Sequence, residues 1–321
     1  MKKSIALFCS LALLILAGCG AQSTGQAAGS ASGGDDGKLQ IVSTVFPGYD
    51  FARAVCGDDA DVTLLLPPGT ESHSYEPTPQ DILTIQNCDL FIYVGGDSDA
   101  WVDTILKSMD HPVKTLKMMD CVNTLPEETV EGMESGEEEE TPAGTVEYDE
   151  HVWTAPANAI LITQAIGEEL QALDPDDADT LKANTDDYVQ QLTTLDQDYK
   201  DFFATVSNKT IVFGDRFPLR YFAEEYGLTY YAAFPGCSTQ TEPSAATVAF
   251  LTDKVKEGKI STVYYIEFSN HLVADSIAEA TGAGTALFDS CHNVSQQEMD
   301  SGATYVSIMR QNLETLKQTM K

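Results

Sequence analysis

From residue 39 onward, short apolar runs rich in β-branched and aromatic side chains alternate with longer stretches whose apolar residues recur every three or four positions. That alternation predicts parallel strands covered by helices. Residues 39–45, 61–67 and 89–95 read as strands, with helices over 47–55 and 78–86 between them. Thr78 and Pro79 supply the cap and the first helical residue of the second helix. Further on, residues 244–259 place Val248, Leu251 and Val255 on one helical face and stop near Gly258. A strand at 261–268, a helix ending at Thr281-Gly282 and a strand at 285–288 follow. Residues 304–320 form a last amphipathic helix with Tyr305, Ile308, Met309, Leu313 and Leu316 on its apolar face, and a Ser295/Glu298 capping box lies just before it.

In the middle of the chain, Ala159, Ile162, Ile166, Leu170 and Leu173 repeat at helical spacing and predict one long helix over 155–174. Placed at a boundary, it acts as a stiff spine. The fold class is therefore α/β, with two doubly wound domains, 39–154 and 175–321, joined by that helix; 321 residues are too many for one small module.

The N-terminus follows a different pattern. Lys2 and Lys3 precede an apolar stretch at 5–16, and Leu16-Ala17-Gly18-Cys19 supplies a small-residue cleavage site. The apolar stretch has 12 residues, short of the ~20 that a spanning helix needs. Leu-Ala-Gly-Cys resembles the bacterial lipobox, so residues 1–18 are expected to be a lipoprotein signal peptide and Cys19 the lipidated residue. A flexible linker at 19–38, rich in Gly, Ala and Ser, follows it. The protein is then expected to sit on the cell membrane, lipid-anchored and facing the extracytoplasmic side.

Composition removes one class of partner. With 18 Lys+Arg against 50 Asp+Glu the formal charge is −32, which repels phosphate backbones, so nucleic-acid binding is excluded. Residues 126–150 carry eleven acids and no base. They predict a solvated loop, either a weak collector of cations or a solubilising insert. Five cysteines lie beyond Cys19, and in an oxidising compartment Cys237 and Cys291, both near strand ends, are expected to pair as a disulfide, with thiolate ligation of a metal as the alternative.

Candidate chemistry centres on histidine and carboxylate. His73 lies in a loop leaving the carboxyl end of a strand, and His151 lies just before the spine helix. Asp215, Glu267 and Asp289 stand near the ends of later strands, with His292 three residues beyond Asp289. Ligands of open α/β sheets bind at such carboxyl ends. Neutral imidazole with carboxylate suits zinc or manganese. His111 and His271 read as a turn residue and a helix-start residue. There is no HExxH helix and no GxSxG elbow, so an enzyme is not expected.

The flanks of these residues carry a resemblance. GTESHSYEPTPQD around His73, DEHVWTAP around His151, FAEEYGL, TEPSAATVAFLTDKVKEGKISTVYYIE and IAEATGA together resemble the metal-binding solute-binding proteins of bacterial ABC transporters, the zinc/manganese subgroup. The motifs run in family order from Leu39 to the C-terminus. The resemblance implies two α/β domains joined by a rigid helix, one ion clasped in the interdomain cleft, and an ABC-transporter permease as partner of a monomeric receptor. Zinc is the expected cargo, with manganese or iron the alternative. A secreted zinc hydrolase and an adhesin holding a structural metal are the readings from other classes.

The first two family ligands match His73 and His151. The third position holds Arg216, whose guanidinium cannot donate a lone pair. The fourth, an aspartate, matches Asp289, and His292 close by can replace the missing donor, so the expected set is His73, His151, His292 and Asp289. Arg216 is expected to pair with Asp215 or Glu267. The acidic loop occupies the place where zinc members often carry a His-rich one, but has no His itself. Binding through imidazole is expected to weaken below about pH 6.5. Alanine at His73 or His151 should leave the metal-free fold unchanged, because loops carry both.

Overall fold

In β1 (Leu39–Ser43), Ile41 and Val42 point to opposite faces of the strand and both are buried, so their sheet needs cover on both sides. The computed structural model describes residues 38–134, 146–238, 240 and 242–320. The expected signal peptide 1–18, Cys19, the linker as far as Gly37 and the centre of the acidic stretch, 135–145, lie outside the described residues. β1 sits between β2 (Ala60–Leu64) and β3 (Leu90–Tyr93), and β4 (Thr115–Lys117) completes a parallel sheet in the order β2-β1-β3-β4. A second parallel sheet takes β5 (Thr210–Phe217), β6 (Thr229–Pro235), β7 (Thr262–Tyr265) and β8 (Gly284–Leu287) in the order β6-β5-β7-β8.

The helices are α1 (Phe46–Cys56), α2 (Pro79–Gln86), α3 (Ala100–Ser108), α4 (Pro156–Leu173), α5 (Ala178–Thr205), α6 (Arg220–Tyr226), α7 (Ala245–Glu257), α8 (Leu272–Thr281), α9 (Gln296–Asp300) and α10 (Tyr305–Thr319). On the outer face of the first sheet, Val42, Leu65 and Phe91 pack with Ile85 of α2 and Val102 of α3. On the outer face of the second, Val212 and Val263 pack with Leu251 of α7 and Ile277 of α8. The inner faces share one continuous core, in which Ile41, Ile92, Ile162, Leu192, Phe213 and Leu313 all take part. Two doubly wound sheets are therefore present, as the alternating pattern predicted.

The spine differs from the expectation. α4 matches the long helix, but the chain folds back after Leu173 into the 28-residue α5, which packs on α4, α1 and α10. Its inward residues Leu181, Tyr188, Leu192, Leu195, Tyr199 and Phe203 keep helical spacing. The two helices approach closely at Gly167, where a Cβ would come within 2.4 Å of Thr185 Oγ1. The connection is thus a helical pair, and a cut at residue 175 would divide a common core.

One buried carboxylate locks this layer. Asp50 on α1 accepts hydrogen bonds from Arg53 Nη2 (2.7 Å), Tyr188 Oη on α5 (2.5 Å) and the Tyr305 N–H that opens α10 (2.8 Å).

The acidic stretch is also more ordered at its ends than its composition suggests. Pro126 and Tyr148 form an antiparallel bridge, and Asp149 and Glu150 are buried. Glu134 accepts from the Ser244 N–H and from Thr247 Oγ1, each at 2.6 Å, at the start of α7. Carboxylates that find backbone donors at a helix N-terminus no longer need bulk water. Among the described residues no helix is long and apolar enough to cross a membrane.

Candidate metal centre

The loop after β2 turns at Gly69, whose φ of 77° suits glycine, and its N–H donates to the Val294 carbonyl at 2.8 Å. The loop then delivers His73, whose Nδ1 lies 2.8 Å from Glu71 Oε1. A carboxylate there fixes the proton on Nδ1 and turns Nε2 toward the interior. His151 is fully buried at the entrance to α4. Its Nδ1 and its backbone N–H both meet Asp149 Oδ1, at 3.1 and 2.8 Å.

His292 arrives from the second sheet, on the loop after β8. Cys291 takes a left-handed φ of 60°, a strained conformation for a side-chain-bearing residue. Asp289 Oδ1 holds that turn by accepting the Cys291 N–H at 2.8 Å. The loop is tied to its surroundings through Phe46 N–H to the His292 carbonyl (3.2 Å), Asn293 Nδ2 to the Pro67 carbonyl (2.8 Å) and Trp153 Nε1 to the Ser290 carbonyl (2.8 Å). His292 Nδ1 faces Ser72 Oγ at 3.3 Å.

These three rings meet. Their centres are 5.5 Å apart for His73–His151, 5.1 Å for His73–His292 and 5.3 Å for His151–His292. All three Nε2 atoms are buried and have no hydrogen-bond partner. A zinc ion bound to imidazole nitrogens at about 2.0–2.1 Å lies about 3.2 Å from each ring centre, so tetrahedral imidazoles have centres about 5.2 Å apart. The triangle seen here has that size. A cavity of about 190 Å³ opens beside it, lined by Glu71, His73, His151, Arg216, Glu267 and His292 among others.

Asp289, expected among the ligands, lies on the turn just before His292 and does not line the cavity. Its oxygen is spent on the Cys291 turn, and burial together with the neighbouring Glu267 charge pushes its carboxyl well above the usual range. Glu267 is pushed up by burial as well, while it accepts from the Ser290 N–H at 2.7 Å and Ser290 Oγ at 2.5 Å.

Beside His73 and His151 stand Glu150, which the sequence did not mark, and Cys237, which it offered as a thiolate ligand only as the alternative to a disulfide. One ligand atom each from His73, Glu150, His151 and Cys237 all lie within 4.8 Å of one another. Glu150 Oε1 is 3.3 Å from His73 Nε2, while the Glu150 carboxylate also accepts from the Ser98 N–H (3.1 Å) and from Ser98 Oγ. Composition alone places Glu150 in a solvated acidic run; its position directly before His151 is the signal that sets it apart. Cys237 follows Gly236 on the turn after β6. Cys237 and Cys291 are both free thiols, so the expected disulfide is not formed.

Arg216 also departs from expectation. β5 carries a register shift between Phe213 and Arg216, and the guanidinium reaches Glu71 Oε2 at 3.0 Å and the Ser238 carbonyl at 3.2 Å. It does not pair with Asp215 or Glu267 because Glu71 lies across the cleft within its span. Arg216 thereby holds the carboxylate that orients His73. His111 is exposed in its turn, and His271 caps α8 with Nδ1 2.8 Å from Asp275, both away from the centre.

The electrostatics follow from this packing. Burial alone would lower the His73 pKa, but the Glu150 and Glu71 carboxylates on either side outweigh it and raise it to about 9. His292 moves the other way, well below 6.5, through burial and the positive charge of His73, His151 and Arg216. One imidazole is therefore held protonated and another neutral.

Two doubly wound sheets that present donor side chains from their carboxyl ends to a shared cleft define a cleft-type solute-binding protein. The chain belongs to the family described as zinc-uptake complex component A, periplasmic, which matches residues 41–319. It is similar to the high-affinity zinc uptake system protein ZnuA of Bacillus subtilis (strain 168), 35% identical over 328 residues that cover 99% of this chain and 98% of the relative. It is also 34% identical over 322 residues to the zinc-binding lipoprotein AdcA of Streptococcus pneumoniae R6, covering 99% of this chain but 61% of that protein. The chain thus spans about three fifths of the length of that relative. The crystal structure of the Zn(II)-bound ZnuA-like domain of Streptococcus pneumoniae AdcA superposes with a TM-score of 0.72 at 33% identity, over 88% of this chain and 99% of that one.

Proposed function

We propose that this chain captures a zinc ion between its two sheets, through His73, His151 and His292, and delivers it to an ABC-transporter permease. The observation that carries this is the meeting of three imidazole rings whose centres stand at tetrahedral spacing and whose Nε2 atoms are buried without a hydrogen bond, with the Glu150 carboxylate 3.3 Å from that of His73. An apolar ligand would leave those nitrogens unsatisfied, at about 1–3 kcal/mol each. A metal ion satisfies all of them at once. Nitrogen donors favour zinc over manganese, and the zinc-binding names of the relatives point the same way. Attachment to the membrane through lipid on Cys19 belongs to the same proposal.

Competition titrations of zinc and manganese across pH test it. Zinc should bind more tightly than manganese at every pH. Because His73 carries a proton up to about pH 9 in the metal-free protein and must lose it to bind, zinc binding near neutral pH should release at least one proton. Affinity should then rise at least tenfold per pH unit below the His73 value. This replaces the expected onset near 6.5, which ignored Glu71 and Glu150. Manganese binding as tightly as zinc, or zinc binding without proton release, would overturn the assignment.

A further inference from the structure

Three imidazoles leave a tetrahedral ion one ligand short, and the family position that would supply another holds Arg216, which is committed to Glu71 and the Ser238 carbonyl. Asp289 holds its own turn through Oδ1. Two candidates remain beside the rings, Glu150 and Cys237. Both Glu150 oxygens already accept from Ser98, one from its hydroxyl and one from its N–H, so direct ligation by Glu150 would break a contact that fixes its side chain. Cys237 is in no disulfide, and its thiol's side-chain hydrogen bond is to the Glu127 carboxylate. The turn that carries it is pressed against the site, since a Cβ at Gly236 would come within 3.1 Å of His151 Cε1. The Cys237 N–H, donating to Glu127 Oε1 at 3.3 Å, helps hold the turn in place. Its sulfur lies within 4.8 Å of ligand atoms on the half-buried His73 and the fully buried His151, and the Nε2 atoms of both rings are shielded from solvent.

We propose that the Cys237 thiolate is the fourth ligand of the captured ion, and that this sulfur sets the preference for zinc over manganese. The proposal rests on the zinc-capture reading above. On binding, a zinc–sulfur bond forms, the S–H bond breaks, and the proton leaves to solvent. Glu150 keeps its Ser98 contacts and contributes its charge from beside His73. Thiolate is a soft donor that suits zinc and is a poor partner for manganese, so a site with three nitrogens and one sulfur discriminates more strongly than one completed by carboxylate.

Cobalt(II), which reports coordination through its absorption, is the probe. The full chain loaded with cobalt should show intense visible bands of tetrahedral geometry together with a near-ultraviolet thiolate-to-cobalt charge-transfer band. Cys237→Ser should lose the charge-transfer band, bind zinc roughly a hundredfold more weakly, and show a smaller zinc-to-manganese affinity ratio. Tetrahedral visible bands without charge transfer in the parent protein would overturn the thiolate while leaving the imidazole site standing. The thiolate also fails, and Glu150 takes its place, if Cys237→Ser keeps the parent zinc affinity and Glu150→Gln loses it. A parent protein that binds neither cobalt nor zinc would overturn the zinc-capture reading and this proposal with it.

Discussion

Replacing His73 with alanine should weaken zinc binding by roughly two to three orders of magnitude, since four-ligand zinc sites are worth about 10–16 kcal/mol and each donor carries a share. His73 is the suitable position for this measurement because its ring projects from a loop into the cavity and not into the continuous core. Its loop position suggests the same for His151, but that residue is fully buried, bonded to Asp149 and packed 5.6 Å from the Trp153 ring. His151→Ala should therefore lose stability as well as metal, through the void it leaves. A chelator-competition titration in which His73→Ala binds zinc like the parent would remove His73 from the site.

Asp50→Ala should be among the most damaging substitutions in the fold, at about 3–5 kcal/mol. Burial pushes the Asp50 carboxyl up in spite of its partners, so the residue is not there for the value of its charge. What its loss leaves behind is costly. Tyr188 Oη, the Tyr305 N–H and one arm of Arg53 would all lose their acceptor where α1, α5 and α10 meet. The melting temperature should fall by roughly 10 °C, and metal affinity at a temperature where the variant stays folded should hold. A variant as stable as the parent in denaturant titration would show that the junction is held by apolar packing alone.

Asp50 gave no sign of itself in the sequence, and the reason is general to this chain. Apolar periodicity is a local signal, and it located β1, α4, α7 and α10 within a few residues of their observed ends. α5 escaped because Asp, Thr and Gln fill the positions between its inward Leu, Tyr and Phe residues. The Ser295/Glu298 capping box was legible too, whereas Glu71, two residues from the ring it orients, was passed over. Arg216 and Glu71 are 145 residues apart, and no spacing in the sequence relates them. Asp289 is ambiguous in another way. A carboxylate at a strand end can serve a metal or a turn, and the left-handed backbone at Cys291 shows one oxygen of Asp289 serving the turn. Glu150 and Cys237 were hidden by context, the one inside an acidic run and the other behind the expectation of a disulfide.

Trp153 lies 4.9 Å from the His292 ring and 5.6 Å from the His151 ring, with its indole N–H fixed to the Ser290 carbonyl. The chain has only one other tryptophan, Trp101, which packs against Tyr75 and Phe91 on the far side of the first sheet. The centre is thereby equipped with a fluorophore of its own, because an ion taken up by the His151 and His292 rings changes the immediate surroundings of the indole packed against them. In a Trp101→Phe background, emission from this single residue would follow loading and unloading of the cleft in real time, with no dye attached and no change at any donor atom.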